Sequence, residues 1–265
     1  MPGTKRVEHL WGTAISTDVR DPISAALLDR VYAGFQRVDD VFSTWRPDSE
    51  ISRVAAGELD WGSADPDLRA VVELCDRVGA ESLGAFDIRV GSDPRVGHRE
   101  GLGPIDPSGL VKGWALERAA TLLRCEGIAN FAINAGGDVV TAGQSRGGEG
   151  WRVGIQHPWE RDKVAAVVMV SDRGVATSGR YERGDHIIDP RTGSPATGVM
   201  SVTVIGPDLA LADGYATAAL VLGRDGALWL SERDGIAAMV IDDERRVTVV
   251  NDFDRYRVPG PTEDT

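Results

Sequence analysis

Hydrophobic and polar positions mark out most of the elements before any chemistry is considered. Leu27, Leu28, Val31, Phe35, Val38 and Phe42 recur at helical spacing and predict a helix with one apolar face. Asp21-Pro22 is placed to open it, because Asp can cap and Pro tolerates the first turn. The stretch Trp45-Arg46-Pro47-Asp48-Ser49-Glu50 reads as the loop that ends it, since Pro47 removes a backbone donor. Asp65-Pro66 caps a second helix, with Leu68, Val71, Val72, Cys75 and Val78 on one face. Residues 109–125, 208–222 and 224–233 read as further helices.

Strand candidates are 7–19, 128–134, Asp138–Ala142, Val164–Val170 (a buried strand), 236–241 and Val247–Val250. Gly136-Gly137 supplies a turn, and Asp242-Asp243-Glu244 a hairpin turn. Residues 144–150 read as a glycine-rich hairpin loop, and 91–104 as a loop rich in Gly and Pro. Strands and helices interleave without a regular βαβ rhythm. The expectation is an α+β fold with mixed sheets and packed helices. It forms a single domain over 1–258, followed by a frayed tail over 259–265.

Composition narrows the class. With 265 residues, 42% hydrophobic and 26% charged, the chain can bury a large core. Its 29 Lys+Arg against 41 Asp+Glu give a net charge of −12, which argues against non-specific nucleic-acid binding. The longest apolar runs are far shorter than the roughly 20 residues of a membrane helix. No membrane segment and a cytoplasmic location are therefore expected. Cys75 and Cys125 both fall on apolar helical stripes and read as core filler, not as a disulfide. Lysine occurs only at Lys5, Lys112 and Lys163, so a lysine inside a motif stands out.

Four islands could carry chemistry. Gly84-Ala85-Phe86-Asp87 reads, on its residues alone, as a turn leading into a strand. Asp106-Pro107-Ser108-Gly109-Leu110-Val111-Lys112-Gly113 opens a helix whose free N–H groups suit an anion. Lys112 lies in its first turn, where a cation is unfavourable for the helix alone; a negative ligand would resolve that conflict. The spacing is not that of a Walker loop, and a capped surface helix is the plainer alternative. The third island runs from Val175 to Tyr181 and on through His186-Ile187-Ile188-Asp189-Pro190. A histidine there stands close in sequence to Thr177, Ser178, Tyr181 and Asp189. The nucleophile-elbow pattern is absent, because Ala176 and Arg180 occupy its glycine positions. In the fourth, Asp213 and Thr217 are four apart on a predicted helix and share a face. One carboxylate and one hydroxyl are hard oxygen ligands that suit magnesium when phosphate and water complete its shell. A buried Thr beside a dipole-facing Asp explains the same residues without a metal.

Taken in order, these islands resemble the ApbE family of FAD:protein FMN transferases. The stretches that carry the likeness are WGTAIS, FSTWRPDSEISR, GAFDIRVG, DPSGLVKGWALERAATLL, FAINAGGDVVTAG, GWRVGIQHP, VATSGRYERGDHIIDPRTGSPATG and VTVIGPDLALADGYATAALVLG. The resemblance implies an FAD-binding α+β fold with Mg2+ on the pyrophosphate. By motif, Trp11, Trp45, Ala85, Phe86, Asp87, Asp106, Lys112 and Ile187 would contact FAD. The Gly109 carbonyl, Asp213 and Thr217 would hold the metal. His186 matches the family's histidine and is the candidate general base, with Asp213 the second catalytic residue. The partner would be an acceptor protein that carries a flavinylated threonine.

The chain departs from the family pattern in four places. Only a short segment separates the FD block from the block carrying Lys112, Trp11 replaces a common methionine, Ala216 replaces a second carboxylate of some members, and Arg180 follows the T-S-G block. The implied reaction is transfer of FMN from FAD to the threonine hydroxyl, with AMP leaving. The alternatives are Mg2+-dependent FAD hydrolysis to FMN and AMP, and an FAD-binding module without turnover. Asp213 and Thr217 count against the last.

Overall fold

The computed structural model describes residues 3–89, 105–181 and 187–259. Along the chain come β1 (Thr4–Leu10), β2 (Thr13–Val19), α1 (Ala25–Phe42), α2 (Glu50–Ala55) and α3 (Pro66–Glu81). Then follow α4 (Ser108–Cys125), β3 (Phe131–Ala135), β4 (Asp138–Ala142), β5 (Trp151–Gln156), β6 (Val164–Val170) and β7 (Gly174–Gly179). The remainder is β8 (Ile188–Asp189), β9 (Ser194–Pro195), β10 (Val199–Gly206), α5 (Leu209–Leu222), α6 (Gly226–Ser231), β11 (Ala237–Asp242) and β12 (Val247–Val250). Eight strands join edge to edge in the order β1-β2-β3-β4-β7-β10-β11-β12. Two small sheets, β5-β6 and β8-β9, stand beside them. The chain is α+β with several sheets, and its described ladders are antiparallel.

Strand alternation assigns the two faces of the main sheet. Val140, Ala176, Val202, Val204, Ala238 and Val240 turn to the core shared with the helices. Their neighbours Val139, Val175, Ile205, Ala237, Met239 and Ile241 turn the other way, against Val153, Ile155, Val168 and Val170 of β5-β6. The central strands are thus covered on both sides, and all five residues of β4 are buried. Among the described residues, no helix is long and apolar enough to cross a membrane.

Several local readings hold. Asp65 caps α3 with Pro66 at its start, and Asp208 caps α5. Others change. Residues 7–19 are two strands joined by Trp11-Gly12, both at positive φ (55° and 72°), as a two-residue hairpin requires. Helix α1 is capped by Ser24, not Asp21, whose carboxylate instead accepts from the backbone of Ala129 and Asn130. Helix α2 starts at Glu50, the last residue of the stretch read as a loop, and continues through residues for which the sequence pattern predicts no element. Residues 144–150 join β4 to β5, which belong to different sheets, so they close no hairpin. Strand β6 is exposed at its start and buried only toward its end. Cys75 is buried, but Cys125 is exposed at the end of α4. The loop 91–104, His186 and residues 260–265 of the expected tail lie outside the described residues.

Candidate active site

Helices α4 and α5 lie against each other on the helix-bearing face of the sheet, and glycine sets their distance. A Cβ on Gly113 would stand 2.5 Å from the Leu209 carbonyl oxygen, so only glycine permits this approach. A Cβ on Gly214 would meet Leu110 Cδ1 at 3.0 Å. The close contact lets side chains of α5 reach the backbone of α4. Asp213, only 4% exposed, accepts a hydrogen bond at 3.1 Å from the Gly113 N–H. One turn further along α5, Thr217 Oγ1 is 3.5 Å from the Gly109 carbonyl oxygen. Two residues four apart on α5 thus meet two residues four apart on α4.

The sheet supplies the floor. Ser178 shares the face of Ala176 by alternation, and its Oγ is 2.9 Å from Thr217 Oγ1. Asp138 shares the face of Val140 and is 1% exposed. Its Oδ1 accepts from the Thr177 N–H at 3.1 Å, and its Oδ2 from Lys112 Nζ at 2.5 Å. Sequence reasoning named Lys112 but missed Asp138. The signal was present, because Asp138 is the one charged residue of an otherwise apolar or hydroxyl-bearing strand, where a carboxylate requires partners.

The wall is the segment after α3. Ser82 Oγ accepts from the Phe86 N–H at 3.1 Å, which turns the chain back on the end of α3. Ala85 and Phe86 are buried, and a Cβ on Gly109 would stand 3.2 Å from both Phe86 Cε2 and Thr217 Oγ1. Asp87 accepts from the Arg89 N–H at 2.9 Å. Asp106 accepts from the Ser108 N–H at 3.0 Å and so orders the entry to α4. Burial, and then the nearby carboxylates of Asp76 and Asp213, push the Cys75 thiol up, so it is held as the unreactive thiol.

The structure therefore brings Phe86, Gly109, Lys112, Asp213 and Thr217 into one region. Other candidates stand apart in their contacts. Trp11 donates its indole N–H to the Phe35 carbonyl at 3.1 Å and packs edge-on against that ring. Trp45 is 89% exposed. The Ile187 carbonyl accepts from the Ala196 N–H at 2.8 Å.

Among the described residues, no group of three or more His, Cys, Asp or Glu side chains is gathered for a metal. The Gly109 carbonyl, the Thr217 hydroxyl and the Asp213 carboxylate form a hard-oxygen set with a single charge. Glycine leaves open the space at 109 that a Cβ would fill. Such a set fits a small divalent cation that also binds phosphate and water, not a metal held by protein alone.

Comparison with known proteins places this geometry in context. The pattern of the ApbE family matches residues 11–98 and 93–240. An FAD:protein FMN transferase of Klebsiella pneumoniae (strain 342) is 31% identical over 293 aligned positions, covering 89% of this chain and 82% of that protein. One from Escherichia coli (strain K12) is 29% identical, covering 83% and 78%. The flavin transferase ApbE from Vibrio cholerae superposes with a TM-score of 0.82 at 25% identity, over 96% of this chain and 100% of that one.

Proposed function

This chain belongs to the ApbE family, and from that membership we propose that it is an FAD:protein FMN transferase that moves FMN from FAD to a threonine hydroxyl of an acceptor protein. The carrying observation is the meeting of Gly109 with Thr217 and of Gly113 with Asp213, across about a hundred residues of chain. It supports a site for a phosphate-bound divalent cation beside a helix N-terminus and a lysine.

In the proposed step, the acceptor oxygen attacks the FMN-side phosphorus of FAD. The pyrophosphate P–O bond breaks, AMP leaves with its electron pair, and the hydroxyl proton passes to His186. Lys112 and the first turn of α4 bind the phosphates, where negative charge is concentrated. Ala85, Phe86, Asp87, Asp106, Trp11, Trp45 and Ile187 hold the rest of FAD. Gly109, Asp213 and Thr217 would hold Mg2+, which when bound neutralises the charge that develops on the leaving phosphate.

The test is mass spectrometry of a threonine-containing acceptor domain after incubation with FAD, Mg2+ and this protein. A mass gain of one FMN with matching AMP is expected. AMP without a mass gain would make the protein a hydrolase of FAD. Neither product would leave only an FAD-binding module.

A further inference from the structure

We propose that Asp138 is a positioning residue that aims Lys112 at the phosphates of the bound dinucleotide. The proposal rests on the flavin-transfer reading of the site. Asp138 opens β4, a strand paired on one side with β3 and on the other with β7. Its carboxylate is therefore fixed to the rigid middle of the sheet. Lys112 is the opposite kind of group, an ammonium on a flexible four-carbon stem. It also stands near the N-terminal end of α4, as the fifth residue of the helix, where the helix dipole disfavours a cation. The 2.5 Å contact with Asp138 holds that cation in place against the dipole. The lysine side chain is 27% exposed while the aspartate is 1% exposed, so the pair presents its cationic member to the site.

The second oxygen of Asp138 ties the pair to the other half of the site. It accepts from the Thr177 N–H, and the next residue, Ser178, meets Thr217. One buried carboxylate thus sets the lysine in register with the strand that supports Thr217. A carboxylate serving stability alone would have no reason to act on turnover through Lys112.

The test is a double-mutant cycle on Asp138→Asn and Lys112→Met, with circular dichroism as the check on folding. In Asp138→Asn the amide oxygen still accepts from Thr177, but the –NH2 faces the ammonium and displaces it. The transfer rate is expected to fall about tenfold or more. Riboflavin, which lacks phosphates, should bind within about twofold of the native affinity, and KM for the acceptor should stay within the same limit. In the Lys112→Met background, Asp138→Asn should change the rate by less than about twofold. A native rate for Asp138→Asn, or a full further loss in that background, overturns the proposal.

Lys112→Arg gives a second arm if Asp138→Asn does not fold. It keeps the buried charge balanced but moves the cation, and a loss of about tenfold is expected. A native rate for Lys112→Arg would then overturn the proposal. A wild-type protein that transfers no FMN defeats the functional reading itself. An active wild type with an equally active Asp138→Asn defeats only the positioning role.

Discussion

The hydroxyls of Ser178 and Thr217 meet at 2.9 Å, one from the sheet and one from α5. A hydroxyl can donate one proton and accept two. If Thr217 gives its proton to Ser178, its lone pairs are left for a cation beside the Gly109 carbonyl. Thr217→Val should therefore raise the Mg2+ concentration needed for half-maximal transfer by about 10–100-fold, and Thr217→Ser should restore most of it. A Mg2+ titration of the transfer rate checks this; an unchanged midpoint in the valine variant counts against the assignment.

Asp213 serves both the fold and the proposed metal, and two substitutions separate the roles. Asp213→Asn keeps an acceptor for the Gly113 N–H, so it should fold and bind FAD while losing turnover. Asp213→Ala also removes the buried side chain that ties α5 to the Gly113 N–H of α4 and leaves a cavity, and should cost about 1–3 kcal/mol more. Urea unfolding alongside AMP release distinguishes them. Normal turnover in the asparagine variant would remove Asp213 from the catalytic residues.

Gly113→Ala tests the helix contact. The new methyl would collide with the Leu209 carbonyl at 2.5 Å, so α4 and α5 must part. Destabilisation of about 1–3 kcal/mol is expected, together with reduced transfer, because the proposed metal ligands sit on the two separated helices. Calorimetry and the rate should change together.

Tyr215, on α5 between Asp213 and Thr217, donates to Glu81 at the end of α3. Burial first, and then the bond to Glu81, push its phenol up to about 12. A pKa raised in the folded state means full stabilisation below the unfolded value near 10, lost as pH climbs toward the folded value. The melting temperature should fall between pH 10 and about 12, and less steeply in Tyr215→Phe. Parallel slopes would show that another group titrates there.

His186→Ala addresses the proposed base. Transfer should slow by about 10²–10⁴-fold with FAD affinity little changed, and the native rate should rise with pH through the histidine range and level off. A native rate at neutral pH in the variant would leave hydroxyl activation to the metal site.

Much of this architecture is legible in local sequence. Asp65 and Asp208 cap helices, and Gly136-Gly137 turns a hairpin, because those features depend only on neighbouring residues. The spacing of Asp213 and Thr217 also places both side chains against α4. What fails is what depends on distant partners. Asp21 leaves its capping role because Ala129 and Asn130 compete for its carboxylate. The turn at Trp11 is hidden, since a tryptophan at positive φ is uncommon and is anchored here by Phe35. Asp138 gains its meaning from Lys112, which lies 26 residues earlier.

The helix contact has a kinetic consequence. Gly109 and Thr217 are 108 residues apart, and Gly113 and Asp213 are 100 apart. Loops of that size close late and at an entropic cost, so α5 must dock before the Gly109–Thr217 and Gly113–Asp213 contacts exist. No partly folded chain lacking that docking can assemble the proposed ligand set. Ligand capacity therefore appears together with the native state, and a bound dinucleotide favours that state over every incomplete one.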